Sequence, residues 1–177
     1  LSPMDREEGK SLLDIIDHTQ TAMGGRLLRH WLSFPLIDLT EIHRRQSVVT
    51  DLVRTAELRR TTSELLIGIG DLERMASKAV VGRISPREVR QLATSLGQVE
   101  QIGSLLTSSD SAELQKIASR LQPMGELISD IEHTLTEEPP AALGRGITIA
   151  PGVNSELDEL RCLSSHGKEY LLELQRR

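Results

Sequence analysis

Apolar residues recur every three or four positions along almost the whole chain, and this spacing constrains the fold more than any other feature. In the clearest stretch, one stripe is formed by Val89, Leu92, Leu96, Val99, Ile102 and Leu106. Residues with this spacing lie on one face of an α-helix, and that face needs packing partners. The alternation that is typical of β-strands is nearly absent. The sequence therefore predicts an all-α fold of several helices, with a long helix at the C-terminus.

Capping and helix-breaking residues divide this pattern into separate helices. The segment "SPRE" has Ser85 as an N-cap, proline at the first helical position and Glu88 where a capping box requires it. Asp38 is predicted to cap another helix, with Glu41 completing a second capping box. The predicted helices cover 11–17, Thr19 or Thr21 to about Phe34, 38–53, 56–66, 71–80 after a break at Gly68 and Gly70, a helix from 85 onward, 114–121, 124–135, and one from Asn154 or Ser155 to the end.

The segment "TEEPPAALGRGITIAPG", which begins at Thr136, differs from the rest of the chain. Its prolines and glycines predict a loop that contains at most one short strand. We therefore expect a helical body over 1–150 and an outgoing helix over 151–177. The apolar residues of that helix are Leu157, Leu160, Leu163, Leu171 and Leu174.

Charge and composition exclude several classes of protein. A net charge of −5 argues against a domain whose main task is to coat phosphate backbones. The arginine pairs of the first third are interpreted as solvated helix faces, although nucleic-acid contact is the alternative. No apolar run approaches the ~18–20 residues of a membrane span, and no signal peptide is visible, so a cytoplasmic location is expected. Cys162 is the single cysteine, which excludes a disulfide framework within the chain.

Candidate chemistry is sparse. Asp14 with His18, and Asp130 with His133, have helical spacing, but neither pair has the Glu-x-x-His form of a di-metal bundle site. The segment "MGGR" lacks the pattern of a phosphate-binding loop, and its glycines are interpreted as allowing a helix start or a close neighbour. We predict no catalytic, cofactor-binding, metal-binding or nucleic-acid-binding residue, which leaves a helical scaffold or interaction domain.

Three blocks of sequence resemble a known family. "HTQTAMGGRLLRHWLSFPLID", followed by "IHRRQSVVTDLV", closely resembles the start of the core, or lever, domain of bacterial MutS DNA mismatch-repair proteins, with its pattern T-x-M-G-x-R-L-L-x-x-W-L-x-x-P-L-x-D and then I-x-x-R-Q. "IGDLERMASKAVVGRISPREVRQLATSL" and "GVNSELDELRCLSSHGKEYLLELQRR" are similar to later parts of the same domain, in the same order. The resemblance covers residues from about Ser11 to Arg177.

The resemblance implies a mechanical role. In this family the lever connects a DNA-grasping clamp to a C-terminal ATPase, so the chain is expected to be a lever fragment whose last helix leads toward a missing clamp. Trp31, Leu28 and Leu32 are then packing anchors, and Trp31→Ala is expected to cost about 3–5 kcal/mol. Pro35 fixes a turn, Asp71 caps a helix, and Arg26, Arg45 and Arg74 hold carboxylates or carbonyls of other helices. The full structural signature is Met23, Gly24, Arg26, Leu27, Leu28, Trp31, Pro35, Arg45, Gln46, Asp71 and Arg74.

The resemblance also implies partners outside the chain. ATP and magnesium are implied for the ATPase domain of the parent protein, and none for the fragment. The implied partners are mismatched duplex DNA, a MutL-type repair protein and a second parent subunit, with no membrane and with association with the nucleoid on DNA. Two other hypotheses stay open: a free-standing helical adaptor that binds a partner helix, and a small nucleic-acid module with a basic patch. In a lever fragment the apolar stripe from Leu157 to Leu174 is expected to lack cover.

Overall fold

The all-α prediction is confirmed. The structure, a computed structural model, describes residues 10–175, with side chains as far as Ser165. The helices in this range are α1 (Leu12–Ile16), α2 (Ala22–Ser33), α3 (Leu39–Arg54), α4 (Ala56–Ile67), α5 (Leu72–Val80), α6 (Pro86–Thr107), α7 (Ala112–Ala118), α8 (Gly125–Thr134) and α9 (Ser155–Gln175). The only β-pairing among these residues is an isolated antiparallel bridge between Leu135 and Ile149. No helix in the described range has the length and hydrophobicity to cross a membrane.

Helix α6 begins as its sequence predicts. The Ser85 hydroxyl accepts a hydrogen bond from the backbone N–H of Glu88, and the Glu88 carboxylate accepts one from the backbone N–H of Ser85. This capping box satisfies two backbone donors that a helix start otherwise leaves unpaired. Asp38 also caps its helix, because its carboxylate accepts from the backbone N–H of Thr40.

Two local predictions were wrong. Glu41 completes no capping box at α3: its carboxylate pairs with the Arg44 guanidinium at 2.8 Å, since an arginine three residues along offers a charged donor. Helix α7 was predicted over 114–121, but it begins at Ala112 and ends at Ala118. The cause is Ser111, whose hydroxyl accepts from the backbone N–H of Leu114 and caps the helix earlier.

Helix α6 is the centre of the body, and it contacts α4, α5, α7 and α8. One core cluster has the buried residues Ile69, Ile102, Leu106, Leu114 and Ala118. A second cluster has Ala93, Ile131 and Leu135, with Ile149 of the returning loop packed against it. The apolar stripe of α6 therefore has partners on both sides of the helix.

None of the described side chains of α9 belongs to either core cluster. Leu160 is 57% exposed and Leu163 is 70% exposed, so this part of the stripe lacks cover, as expected. The side chains of Leu171 and Leu174 lie outside the described residues. The domain boundary at residue 150 stays a prediction.

We expect the isolated chain to cover this stripe by self-association. An exposed apolar stripe on a helix favours pairing with a second copy. Light scattering over a range of concentrations is expected to show a dimer at high concentration, and Leu163→Glu is expected to shift the chain to a monomer. The control is Ser164→Glu, which adds the same charge at the next position of the helix. A monomer at every concentration, with slow amide exchange along α9, would contradict the expectation.

Candidate functional site

Four of the signature residues join α2 to α3 and to the start of α5, and we define the helix junction as Arg26, Trp31, Arg45, Asp71 and Glu73. The junction starts with the N-terminus of α2, where the Thr21 hydroxyl accepts from the backbone N–H of Gly24. A Cβ added at Gly24 would lie 3.1 Å from that hydroxyl oxygen and 3.3 Å from the Cβ of Thr19. The glycine therefore allows the preceding turn to fold closely over the first turn of α2.

Arg26 joins α2 to the N-terminus of α5. Its Nη1 and Nη2 donate to the two carboxylate oxygens of Asp71, both at 2.8 Å, and its Nε donates to Glu73 at 3.1 Å. Such a two-pronged geometry fits the planar guanidinium and fixes orientation as well as distance. The contact is between helices and involves carboxylates, as the sequence analysis expects of Arg26.

Asp71 has two roles in this junction. Its Oδ1 atom accepts from Nη2 of Arg26 and also from the backbone N–H of Arg74, which makes it the N-cap of α5. The Arg26 guanidinium lowers the pKa of the Asp71 carboxyl to about 2, and the same hydrogen bonds raise the pKa of Arg26. The side chain of Arg74 is exposed, so its contribution to this contact is its backbone N–H.

A second carboxylate, on α6, is held in the same way. Lys78 of α5 pairs with Glu88 of α6, and this contact, together with the hydrogen bonds from Ser85, lowers the pKa of Glu88 to about 2. The ion pair between Lys78 and Glu88 thus holds together the two ends of the turn between α5 and α6.

We expect Asp71→Asn to reduce the loss of stability in acid. A carboxyl whose pKa is lower in the folded state stabilises the fold above its unfolded pKa, and this contribution disappears as the pH falls. For Asp71 the window runs from its ordinary pKa of 3.8 down to about 2. Urea unfolding at several pH values between these limits is the measurement, with Asp130→Asn on α8 as the control. The same acid slope in Asp71→Asn and the parent chain would refute the role of Asp71.

Trp31 is not the core anchor that the sequence analysis expects. It is 39% exposed, and no residue of α2 is buried. The Arg45 guanidinium of α3 lies 3.7 Å from the centre of the Trp31 ring, so the contact is a cation–π stack. The expectation that Arg45 holds a carboxylate or carbonyl is therefore replaced by an aromatic contact between α2 and α3.

This geometry lowers the expected cost of losing the tryptophan. A stack at an exposed site contributes about 0.5–1 kcal/mol, and a half-covered ring loses less than the ~3–5 kcal/mol of a buried one, so we expect about 1–2 kcal/mol for Trp31→Ala. Because Trp31 is the single tryptophan, Arg45→Ala is expected to change the fluorescence of the folded chain. Arg54→Ala near the end of α3 is the control. Unchanged fluorescence in Arg45→Ala would exclude the stack.

The other signature residues take different positions. Met23 is half-buried and packs against the core cluster that contains Leu114. Leu28 and Leu32 are half-buried, whereas Leu27 is 48% exposed. Pro35 and Gln46 are exposed. The helix junction is therefore held by polar and aromatic contacts more than by buried apolar side chains.

Sequence reasoning missed a polar contact beside the junction, at the linker Gly68–Gly70. The fully buried Ser95 of α6 accepts from the backbone N–H of Gly70 at 3.0 Å and donates to the backbone carbonyl of Gln91 at 2.8 Å. The Gln91 amide donates to the carbonyl of Gly68 at 3.2 Å. These bonds position the linker, and with it Asp71. In the sequence, Gln91 and Ser95 have the spacing of residues on one helix face. The same spacing is typical of a solvated face, so it does not identify the contact.

The histidine pairs form no metal centre in the described range. No group of three or more His, Cys, Asp or Glu side chains between residues 10 and 165 is placed to hold a metal ion. Asp14 instead accepts from the hydroxyl and backbone N–H of Ser11, the N-cap of α1, and so completes the capping box of that helix.

Comparison with known proteins agrees with this architecture. The family model described as MutS domain III matches residues 1–176. The chain is similar to the DNA mismatch repair protein MutS of Porphyromonas gingivalis, with 49% identity over 99% of this chain and 20% of that protein. It is 43% identical to the protein of the same name from Parabacteroides distasonis, over 97% of this chain and 20% of that protein. For the one from Chlorobaculum tepidum the identity is 43%, over 98% of this chain and 20% of that protein.

The fold and the helix junction define a helical domain that is organised around one central helix. The chain belongs to the MutS family, as its domain III. It spans about one fifth of the length of the relatives that it matches.

Proposed function

We propose that this chain is the lever of a mismatch-repair protein, a stiff helical element that couples binding of mismatched DNA to an ATPase elsewhere in the same polypeptide. The observation that carries the proposal is the contrast between the body and α9. The body is packed around α6, whereas α9 leaves it with Leu160 and Leu163 exposed. A helix of 21 residues is about 31 Å long at a rise of ~1.5 Å per residue, so it transmits a small rotation at its base over a large distance.

Coupling between two distant sites requires elements that move as units. The helix junction supplies this property to the body, because Arg26 ties α2 to α5 and Arg45 ties α3 to α2. Helix α6 ties α5 to α8. A displacement of one of these helices is therefore shared by the others.

The partners follow from the same proposal. In the longer protein, a clamp and an N-terminal domain hold mismatched duplex DNA, and a C-terminal domain holds ATP and magnesium. A second copy of the parent protein and a MutL-type protein complete the assembly, which works in the cytoplasm and on the nucleoid. This chain contributes no step of ATP hydrolysis, and it couples the binding of mismatched DNA to the ATPase.

The test uses the longer protein and a break in α9. Proline inside a helix removes a backbone hydrogen bond and kinks the helix. We expect Ser164→Pro to leave hydrolysis of ATP without DNA, and binding of mismatched duplex without nucleotide, close to those of the parent. In the parent, addition of ATP is expected to change the affinity for the duplex at least about fivefold, the lower end of typical couplings. In Ser164→Pro we expect this effect of ATP to be lost.

Ser164→Ala is the matched control, since it keeps the helix intact at the same exposed position. Full coupling in Ser164→Pro would reject the lever. The adaptor alternative is favoured by the exposed Leu160 and Leu163, which fit a groove for a partner helix. The adaptor alternative predicts that a protein consisting of this chain alone binds a separate protein, and that this binding does not depend on nucleotide.

A further inference from the structure

We infer that Asp158 and Arg161 form a joint that sets the direction of α9 relative to the helical body. This inference rests on the proposed lever function and assigns it a site. Both side chains bind backbone groups of the segment between α8 and α9.

The loop is itself fixed to the body. After α8, the chain leaves at Thr136 and comes back to form the bridge between Leu135 and Ile149. The backbone N–H of Thr136 donates to the carbonyl of Thr148 at 3.1 Å, and that of Ala150 donates to the carbonyl of Thr134 at 2.8 Å. Because Leu135 is buried and Ile149 packs against the same cluster, residues 148–150 belong to the body.

Two side chains of α9 bind this segment and the turn that follows it. Arg161 Nη2 donates to the carbonyl of Ile149 at 3.0 Å, and Asp158 Oδ2 accepts from the backbone N–H of Gly152 at 2.7 Å. The two side chains also bind each other, with Nη1 of Arg161 donating to Oδ1 of Asp158 at 3.1 Å. Gly152 has a φ of +88°, a conformation that favours glycine, so the position of this N–H depends on that residue.

A separate contact fixes the start of α9. Its first turn is capped by Asn154, whose side chain accepts from the backbone N–H of Leu157 at 2.9 Å. That bond fixes where the helix begins and leaves its direction open. Leu160 and Leu163, on either side of Arg161, are exposed. Both side chains of the joint are partly shielded, with 33% of Asp158 and 28% of Arg161 exposed, and a charged group that donates to a backbone carbonyl makes a stronger bond than a neutral one.

The joint is a positioning device, and its loss is expected to change the orientation of α9 more than the stability of the body. The first measurement is the distance between two spin labels, attached at Ser129→Cys on α8 and Ser165→Cys on α9, with Cys162→Ser to remove the native thiol. We expect one narrow distance distribution in this background. Arg161→Ala and Asp158→Ala are each expected to broaden it, while the melting temperature stays within a few degrees.

The matched control is Glu159→Ala, an exposed residue of the same helix turn. It is expected to leave the distribution narrow. Arg161→Lys keeps the charge but lacks the fork that reaches both Ile149 and Asp158, so an intermediate width is expected. An unchanged distribution in both alanine variants overturns the joint.

A second measurement separates the joint from the lever function. In the longer protein, Arg161→Ala is expected to reduce the effect of ATP on duplex affinity at least about fivefold, as coupling of this kind requires. If the longer protein without substitutions shows no effect of ATP on duplex affinity, the lever proposal fails, whatever the spin labels show. If that protein couples and Arg161→Ala couples equally well, the lever proposal stands and the joint fails.

Discussion

Replacing Leu114 with alanine is expected to lower the free energy of unfolding by about 2–5 kcal/mol. Leu114 is 2% exposed and lies in the core cluster with Ile69, Ile102, Leu106 and Ala118. The change removes buried methyl groups and leaves a cavity that the surrounding helices fill only in part. Leu114 and Ala118 are the buried residues of α7, and they pack this short helix against the core around α6.

The measurement is urea unfolding followed by circular dichroism, with the midpoint and slope fitted separately. Leu163→Ala is the matched control: it makes the same change at a position that is 70% exposed, and at concentrations where the chain is a monomer it is expected to stay within about 0.5 kcal/mol of the parent. A cost below about 1 kcal/mol at Leu114 would mean that α7 does not pack on α6 as described.

Ser95→Ala is expected to cost about 1–3 kcal/mol, because it leaves the backbone N–H of Gly70 without an acceptor in a partly buried place. Ser95 is fully buried, so water does not replace the lost hydroxyl. The serine also donates to the carbonyl of Gln91, but that carbonyl keeps its place in the helix ladder of α6. The cost therefore reports mainly on the linker contact.

Ser104→Ala provides a control on the same helix. Ser104 makes the same kind of bond, from its hydroxyl to the carbonyl four residues earlier, but it is exposed. We expect a change within about 0.5 kcal/mol. Equal costs for the two serines would show that the bond along the helix, and not the contact with Gly70, determines the effect of Ser95→Ala.

The parts of the fold that could be predicted from sequence are those that depend on neighbours along the chain. The capping box at Ser85 and Glu88 is such a case, since both partners and the backbone groups that they satisfy lie within one helix turn. Glu41 departs from the capping-box pattern because Arg44 lies within the same turn and offers a better partner than the backbone. The sequence pattern identifies the possible hydrogen-bond partners of a side chain, and the strongest of these contacts forms in the structure.

The helix junction could be predicted only in part, because its contacts join residues far apart in sequence. Arg26 and Asp71 were singled out as parts of a signature, but nothing in their spacing states that they pair with each other. The family resemblance implied that Trp31 is a packing anchor, whereas its position on α2 leaves one face of the ring to Arg45. The contact between Ser95 and Gly70 lay beyond reach for the same reason.

The linker Gly68–Gly70 has a consequence for how the length of this chain can vary. Gln91 and Ser95, which bind its two ends, are four residues apart on α6, a rise of ~6 Å along the helix. Helix α6 therefore fixes the distance that the linker has to span. One added residue between Gly68 and Gly70 would force one of the two hydrogen bonds to break. The loop 141–146 is not held at two points in this way. We expect it to accept insertions and deletions with little loss of stability. Tolerance of length in this domain is thus concentrated at the loop before α9, away from the helix junction.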